Sequence, residues 1–330
     1  MAFLCHFFDF FPYLWYINRM KKFMCIENLF FVVLCCAIIF EVYDTFSAES
    51  KVTLYSNAVS PNVVLSGAKD VTIPTEEELV GHLSNKDRFK YYLTNTNLIA
   101  HAGGGIDKKT YSNSKESLEL AYENGLRIFE VDIYMTKDKK YVLTHDSNAS
   151  NITYKEFMSS KIYNMYTPMD LNGLISFMKD HPYAYIIPDI KQYNNKEMLL
   201  DIYTKLFKYA GNDKNITDRI IGTFKRVDVF EFVESKMKFD IKMLYYRNTA
   251  NQEKIINTYE KFLKYCLENN VDNVVFSYLQ YNVYLSSIIN NKNINVILYT
   301  LDNEALIEQY LYRGASAIMT NFRTPKKTVN

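Results

Sequence analysis

The sequence predicts an α/β protein built as a (β/α)8 TIM-type barrel, irregular between its second and third strands and preceded by an N-terminal hydrophobic leader. Three observations lead there. From Asn97 onward, short runs rich in β-branched residues alternate with longer stretches of helical period, the pattern of a parallel sheet covered by helices. Eight or nine such runs within about 230 residues favour a closed barrel over an open sheet. Histidines and carboxylates fall at the ends of these runs, where a barrel of this kind carries its chemistry.

The chain has 330 residues, 48% of them hydrophobic, enough to bury the core of one large barrel or of two smaller domains. A net charge of +1 lacks the basic stripe of a nucleic-acid binder, so no nucleic-acid partner is expected. We divide the chain into a leader (1–48), a lead-in (49–95) and a barrel (96–325).

The leader stands apart. Lys21 and Lys22 precede an uncharged apolar stretch, Leu29–Phe40, and then a polar segment. This is the order of a signal peptide or a short membrane anchor. Twelve apolar residues are few for a span of about 20, which leans towards a signal peptide; Phe46, ahead of Ser47 and Ala48, disfavours cleavage there. Residues 20–43 therefore predict an extracytoplasmic protein, secreted or membrane-anchored. Four of five cysteines lie in the leader, leaving Cys266, in a helix-like run, as a packing residue with no partner for a disulfide or a zinc site.

The lead-in is polar and carries one helix-like patch at 75–83. Strands are predicted at 97–101, 127–133, 140–145, 184–190, 219–224, 241–246, 273–278, 294–300 and 316–321. Helices fit 113–124, 168–180, 195–210, 226–237, 251–269 and 302–313. The glycines after His101 lack the spacing of a dinucleotide fingerprint. Between Ile133 and Tyr141 there is no room for a helix; the chain either runs straight back to start a parallel strand or makes a hairpin.

The stretch FEVDIYMTKDKKYVLTHD, Phe129 to Asp146, carries the chemical question. Alternation on a strand turns Phe129, Val131 and Ile133 one way and Glu130 and Asp132 the other. Two carboxylates on one buried face require a positive partner. Asp189 and Lys191, also two apart, end the fourth strand, while His101 and His145 end the first and third. Glu130, Asp132 and Asp189 make a hard-oxygen site for a divalent metal, Ca²⁺ or Mg²⁺, with Lys191 beside it. Two histidines flanking such a site suit acid–base cleavage of a phosphodiester. Taken singly, each residue is more often an ordinary rim residue; their placement on four consecutive strand ends carries the reading. No role is assigned to His6, His82 or His181.

These residues carry a resemblance. LIAHAGGG followed by NSKESLELAYENGLRIFEVDIYMTKDKKYVLTHD resembles the glycerophosphodiester phosphodiesterase family, within the phospholipase-C-like phosphodiesterase barrels. The similarity continues more loosely through IIPDIK, IIGTF, ILYTLDN and GASAIMTNF, covering roughly Leu98 to Phe322. It implies a metal-dependent hydrolase of glycerophosphodiesters or related alkyl or lipid phosphodiesters. His101 and His145 would be the acid–base pair, Glu130, Asp132 and Asp189 the metal ligands, and Lys191 a phosphate-holding residue. In the family's glycerol substrates a neighbouring hydroxyl can attack phosphorus first, giving a cyclic phosphate.

There are departures from the family pattern. Ala102 stands where Arg usually follows the first histidine, removing a bidentate phosphate clamp. Tyr111-Ser112-Asn113-Ser114 replaces Pro-Glu-Asn-Thr, losing a carboxylate; Asp189 stands where Glu is commoner, and Tyr299 where Trp is frequent. Lys108, Lys109 and Arg247 are candidates to replace the lost arginine. Two other readings remain open at this point: a catalytically silent binding protein on the same barrel, and a phospholipase-D-like lipid phosphodiesterase, whose approach to a membrane the leader would assist.

Overall fold

In the computed structural model, residues 75–247, 258–289 and 293–325 are described. The leader and most of the lead-in lie outside them, as does the start of the helix predicted at 251–269. Among the described residues no helix is long and apolar enough to cross a membrane.

Two helices, α1 (Glu76–Val80) and α2 (Asn85–Asn95), precede the first strand. The strands are β1 (Leu98–Ala100), β2 (Ile128–Met135), β3 (Tyr141–Leu143), β4 (Tyr185–Ile190), β5 (Gly222–Phe224), β6 (Lys242–Tyr245), β7 (Asn273–Ser277), β8 (Asn295–Tyr299) and β9 (Ala317–Thr320). The interleaved helices are α3 (Lys115–Glu123), α4 (Tyr154–Ser159), α5 (Leu171–Asp180), α6 (Lys196–Tyr209), α7 (Lys214–Thr217), α8 (Val227–Glu234), α9 (Tyr259–Glu268), α10 (Val283–Ile289) and α11 (Glu304–Tyr312).

Parallel pairing runs β4-β2-β1-β9-β8-β7-β6-β5. A parallel bridge between Ile186 and Ile220, flanked by hydrogen bonds from Ile186 N to Arg219 O and from Ile221 N to Ile186 O, links β4 to the approach to β5. The eight parallel strands thus form the TIM-type ring, with short helices and strand ends that the alternation had placed within a few residues.

The third strand differs from a barrel strand. β3 pairs antiparallel with the far end of β2, Met135 opposite Tyr141 and Ile133 opposite Leu143. Of the two routes open to MTKDKK, the chain takes the hairpin, because Thr136–Lys140 closes a tight turn: Thr136 N donates to Lys140 O (2.7 Å), and Lys139 takes the left-handed conformation. The parallel neighbour of β2 is therefore β4, in register from Ile128–Tyr185 to Ile133–Ile190.

Two apolar layers follow from the alternation. Phe129, Val131, Ile133, Ile186 and Leu298 face outward against the helices. Ile99, Ile128, Tyr185, Ile187, Ile221, Met243, Val275, Ile297 and Met319 fill the barrel. The interior is sealed at the N-terminal ends of the strands by Val80 of α1 and Phe89, Tyr92 and Leu93 of α2. Phe89 and Tyr92 meet the Tyr185 ring at 5.5 and 6.1 Å. Glu76 ties this floor to β2 through a two-pronged ion pair with Arg127 (2.7 and 2.9 Å). The sequence reading missed α2, since its three buried side chains are spread along a helix of mean polar character.

Arg219 secures the ring where the pairing is thinnest. Its guanidinium, buried to 3% exposure, donates to the carbonyls of Asn215, His181, Ala184 and Met178 at 2.6–3.0 Å. Burial pulls its pKa down, and four carbonyls take the place of a carboxylate partner. Truncation strands these acceptors and leaves a cavity beside the β4–β5 bridge. We expect Arg219→Ala to lower unfolding free energy by about 3 kcal/mol, measured by urea titration, with Lys179→Ala, an exposed neighbour on α5, within about 0.5 kcal/mol of the parent.

Candidate functional site

The C-terminal ends of the parallel strands carry a chamber of about 280 Å³. His101, Glu130, His145, Asp189 and Lys191 line it, together with Tyr111, Lys225, Arg247 and Tyr299. Asp132 lies just beneath, fully buried.

β2 and β4 build the acidic centre. Their parallel register sets Asp132 directly against Asp189 and Glu130 against Ile187. One ligand atom from each of Glu130, Asp132 and Asp189 lies within 4.8 Å of the others, and all three residues are buried. Lys191 bridges two of them, contacting Asp132 Oδ1 and lying 2.7 Å from Asp189 Oδ2. Lys225, immediately after β5, pairs with Asp189 Oδ1. Burial opposes the charge on Asp189, but Lys225 and Lys191 outweigh it and hold the carboxyl at about 2. Glu130 goes the other way: burial first, then the charges of Asp132 and Asp189, push it well above the ordinary carboxylate value.

The surroundings of these carboxylates leave one gap. Glu130 Oε2 accepts from the backbone N–H of Ala102 at 2.7 Å. Asp132 Oδ2 accepts from Asn113 Nδ2 at 2.7 Å, and Asn113 Oδ1 accepts from Asp132 N at 2.8 Å. Glu130 Oε1, fully buried, has no hydrogen-bond partner among the described residues. Three carboxylates face two ammonium groups, and the remaining oxygen is turned among acids. That donor set fits a hard divalent cation.

His101 opens a single 3-10 turn directly after β1. Ala102, Gly103 and Gly104 all take positive φ, which brings the backbone N–H of Ala102 onto Glu130. An added Cβ on Gly103 would come within 2.5 Å of Leu118, so the turn admits no side chain there. His101 Nδ1 bonds Asn321 Oδ1 at 2.8 Å; Asn321 Nδ2 donates in turn to Asp302 Oδ2 at 2.7 Å. An amide oxygen accepts, so Nδ1 carries the proton and Nε2, 3.9 Å from Glu130 Oε2, has the free lone pair. Burial lowers the pKa of His101, partly offset by the Asn321 bond.

His145 reaches the same rim from above. β2 runs past the rim, β3 returns, and Thr144 N donates to Asp132 O at 2.9 Å, which sets the next residue over the acidic centre. Its ring is exposed and packs on Tyr111 (centroids 4.4 Å apart); Tyr111 also meets His101 at 5.1 Å.

The six residues singled out in the sequence therefore converge. Of the three proposed replacements for the missing arginine, Arg247 lines the chamber, held by Tyr193 through a 2.8 Å hydrogen bond to its hydroxyl. Lys108 and Lys109 do not line it; Lys109 lies over the Tyr163 ring. Lys225, Asn113, Tyr111 and the Asn321–Asp302 pair went unassigned. Lys225 and Asn321 directly follow strands, so the strand-end rule that located His101 applied to them equally. His181 pairs with Glu119 away from the chamber, and Cys266 is buried in the outer core, its thiol pushed up by burial.

No curated protein matched the sequence. Among solved structures, the fold is similar to a glycerophosphodiester phosphodiesterase from Parabacteroides distasonis (20% identity, TM-score 0.55, covering 69% of this chain and 93% of that one). It is also similar to an Oleispira antarctica phosphodiesterase in complex with the product sn-glycerol-3-phosphate (13%, TM-score 0.56, 71% and 95%). A second Parabacteroides distasonis enzyme, a glycerophosphoryl diester phosphodiesterase, matches at 14% identity and TM-score 0.55 (73% and 89%). The family model for glycerophosphoryl diester phosphodiesterases matches residues 101–324, from His101 directly after β1 to just past β9. The chain belongs to the glycerophosphoryl diester phosphodiesterase family and is a phosphoric diester hydrolase.

Proposed function

We propose that the protein hydrolyses a glycerophosphodiester or a related alkyl phosphodiester, with a divalent metal, Ca²⁺ or Mg²⁺, held by Glu130, Asp132 and Asp189. The observation that carries this is the buried acidic triad with Glu130 Oε1 unpartnered, flanked by two histidines in one chamber. When bound, the metal supplies Lewis-acid charge to a phosphoryl oxygen.

The chain's own residues do the rest. Lys191 and Arg247 offer positive charge to the phosphate, and Lys225 keeps Asp189 ionised. His101, with Nδ1–H committed to Asn321, is the base: Nε2 takes the proton of the attacking hydroxyl as that oxygen bonds phosphorus. Its lowered pKa keeps the ring neutral at pH 7, the form a base requires. His145, on the solvent side, is the acid that protonates the departing alkoxide; where the attacking hydroxyl is the substrate's own, the two histidines then exchange roles and water opens the cyclic phosphate to the monoester. The product named for the Oleispira antarctica structure, sn-glycerol-3-phosphate, supports a glycerol phosphate as one half of the substrate. Placement outside the cytoplasm belongs to this proposal too; it is supported by Lys21 and Lys22 ahead of Leu29–Phe40.

Two measurements check the reading. With full-length protein in detergent and glycerophosphoethanolamine or glycerophosphocholine as substrate, we expect turnover with Ca²⁺ or Mg²⁺ and none with chelator. His101→Ala should cost about 10³-fold in kcat, and Glu130→Gln should weaken metal binding, read by calorimetry, about tenfold or more. Metal binding without turnover of any diester would instead favour a silent binding protein.

The second concerns orientation. Asn321→Leu removes the acceptor that fixes the His101 tautomer, so kcat should fall about 10- to 100-fold with little change in KM. That bond raises the pKa of His101, so its loss moves the acid limb of the pH–kcat/KM profile to lower pH. An acid limb that stays in place would separate His101 from the base role.

A further inference from the structure

We propose that a second cavity beside the acidic chamber receives the leaving alcohol, and that this alcohol is a neutral polyhydroxylated ring, a hexose or cyclitol. The inference rests on the phosphodiesterase reading above and specifies its substrate.

The second cavity measures about 580 Å³ and lies under the segment that connects β3 to α5. Tyr111 and His145 line both it and the inner chamber. The group that protonates the leaving oxygen has to touch the alcohol that bears it. With His145 in the wall between the two cavities, the phosphate sits on the inner side, among Lys191 and Arg247, and the alcohol continues past His145 into the outer one. Cavities of about 300–1,000 Å³ hold whole small-molecule ligands, so the outer space exceeds what a three-carbon polyol or ethanolamine fills.

The partition is built firmly. Tyr111 sits at φ 58 in a loop closed by the Ile106–Lys109 bridge. Two tyrosines of the connecting segment clasp this loop: Tyr163 Oη donates to Thr110 O at 2.6 Å and Tyr166 Oη to Asp107 Oδ2 at 2.5 Å. Tyr111 therefore stays between the histidines.

The walls select among alcohols. Ile152 and Phe157, part of a small apolar cluster, give the outer cavity a dry floor, and the half-exposed rings of Tyr111 and Tyr163 stand above it. Asp146, Asn148, Ser160 and Lys161 line the mouth. An alkyl chain laid here would cover Asp146 and Asn148 without returning a hydrogen bond to either. A short cationic alcohol would reach Asp146 but leave most of the 580 Å³ unfilled. A hydroxylated ring satisfies both surfaces: its C–H faces lie on the aromatic rings, and its hydroxyls donate to Asp146 and accept from Asn148.

The test compares three diesters of the same glycerol phosphate, carrying myo-inositol, ethanolamine or hexanol, by steady-state kinetics on the full-length protein. We expect kcat/KM for the inositol ester to exceed the other two by about tenfold or more. Ser160→Trp, which fills the cavity from an exposed wall position, should reduce that preference about tenfold, chiefly through KM. Asn148→Leu, which removes a hydrogen-bonding group from the mouth at an exposed position, should act in the same direction and guards against a folding defect in the first variant. Equal rates for all three diesters, a preference for hexanol or ethanolamine, or an inositol preference untouched by both variants would overturn the inference while leaving the phosphodiesterase reading intact. Hydrolysis of none of the three would overturn both.

Discussion

The juxtaposition of Asp132 and Asp189 on neighbouring strands is the constraint around which this barrel is organised. Their register places two carboxylates side by side, with Glu130 one pair deeper, in a setting where like charges are costly. A slip of one residue would bring Val131 and Ile133 inward and expose the acids to the helical layer, so the outer core fixes the site as firmly as the site's own hydrogen bonds do. The rim then supplies compensation from several directions: Lys191 from β4, Lys225 from β5, the Asn113 amide ahead of α3, and the N–H of Ala102. What these leave unmatched is one oxygen of Glu130. A cluster assembled at this cost, with one buried acid oxygen left unmatched, is what the proposed cation would answer.

Much of this was legible in the sequence because two periodicities, one for strands and one for helices, alternate cleanly between Asn97 and Asn321. The period of two decided which side chains of FEVDI face inward, and that alone brought Glu130 and Asp132 to one surface. The role of β3 was less accessible. YVLTH has the composition of any barrel strand, and only the length of the preceding turn distinguishes a hairpin from a parallel return. The consequence for the site is small, since a strand that starts above the rim and runs down to it delivers His145 to the same place as one that ends there.

The missed residues share a cause. Lys225, Asn321 and Asn113 act on other protein groups, and their partners are distant in sequence: Asp189, His101 and Asp132. Position at a strand end marks them as candidates, but pairing is a property of the closed ring. Likewise α2 reads as polar because its apolar positions, Phe89, Tyr92 and Leu93, serve only to plug the barrel floor.

The loss of arginine at position 102 fits this picture. An arginine beside His101 would bring its guanidinium to the phosphate from the β1 side of the chamber. In this chain the positive charge comes from the opposite arc: Lys191 after β4, Lys225 after β5 and Arg247 just beyond β6, with Tyr193 and Tyr245 packed among them. Ala102 instead contributes only its backbone N–H, and its small side chain is wholly buried under the Gly103–Gly104 turn. The β1 side is thereby left to the aromatic ring of Tyr111, while the cations, with their own tyrosines, gather on the opposite side of the rim. Under the proposed reading, a phosphate held by strands four to six would turn its leaving oxygen towards Tyr111 and His145, the two residues shared with the larger cavity.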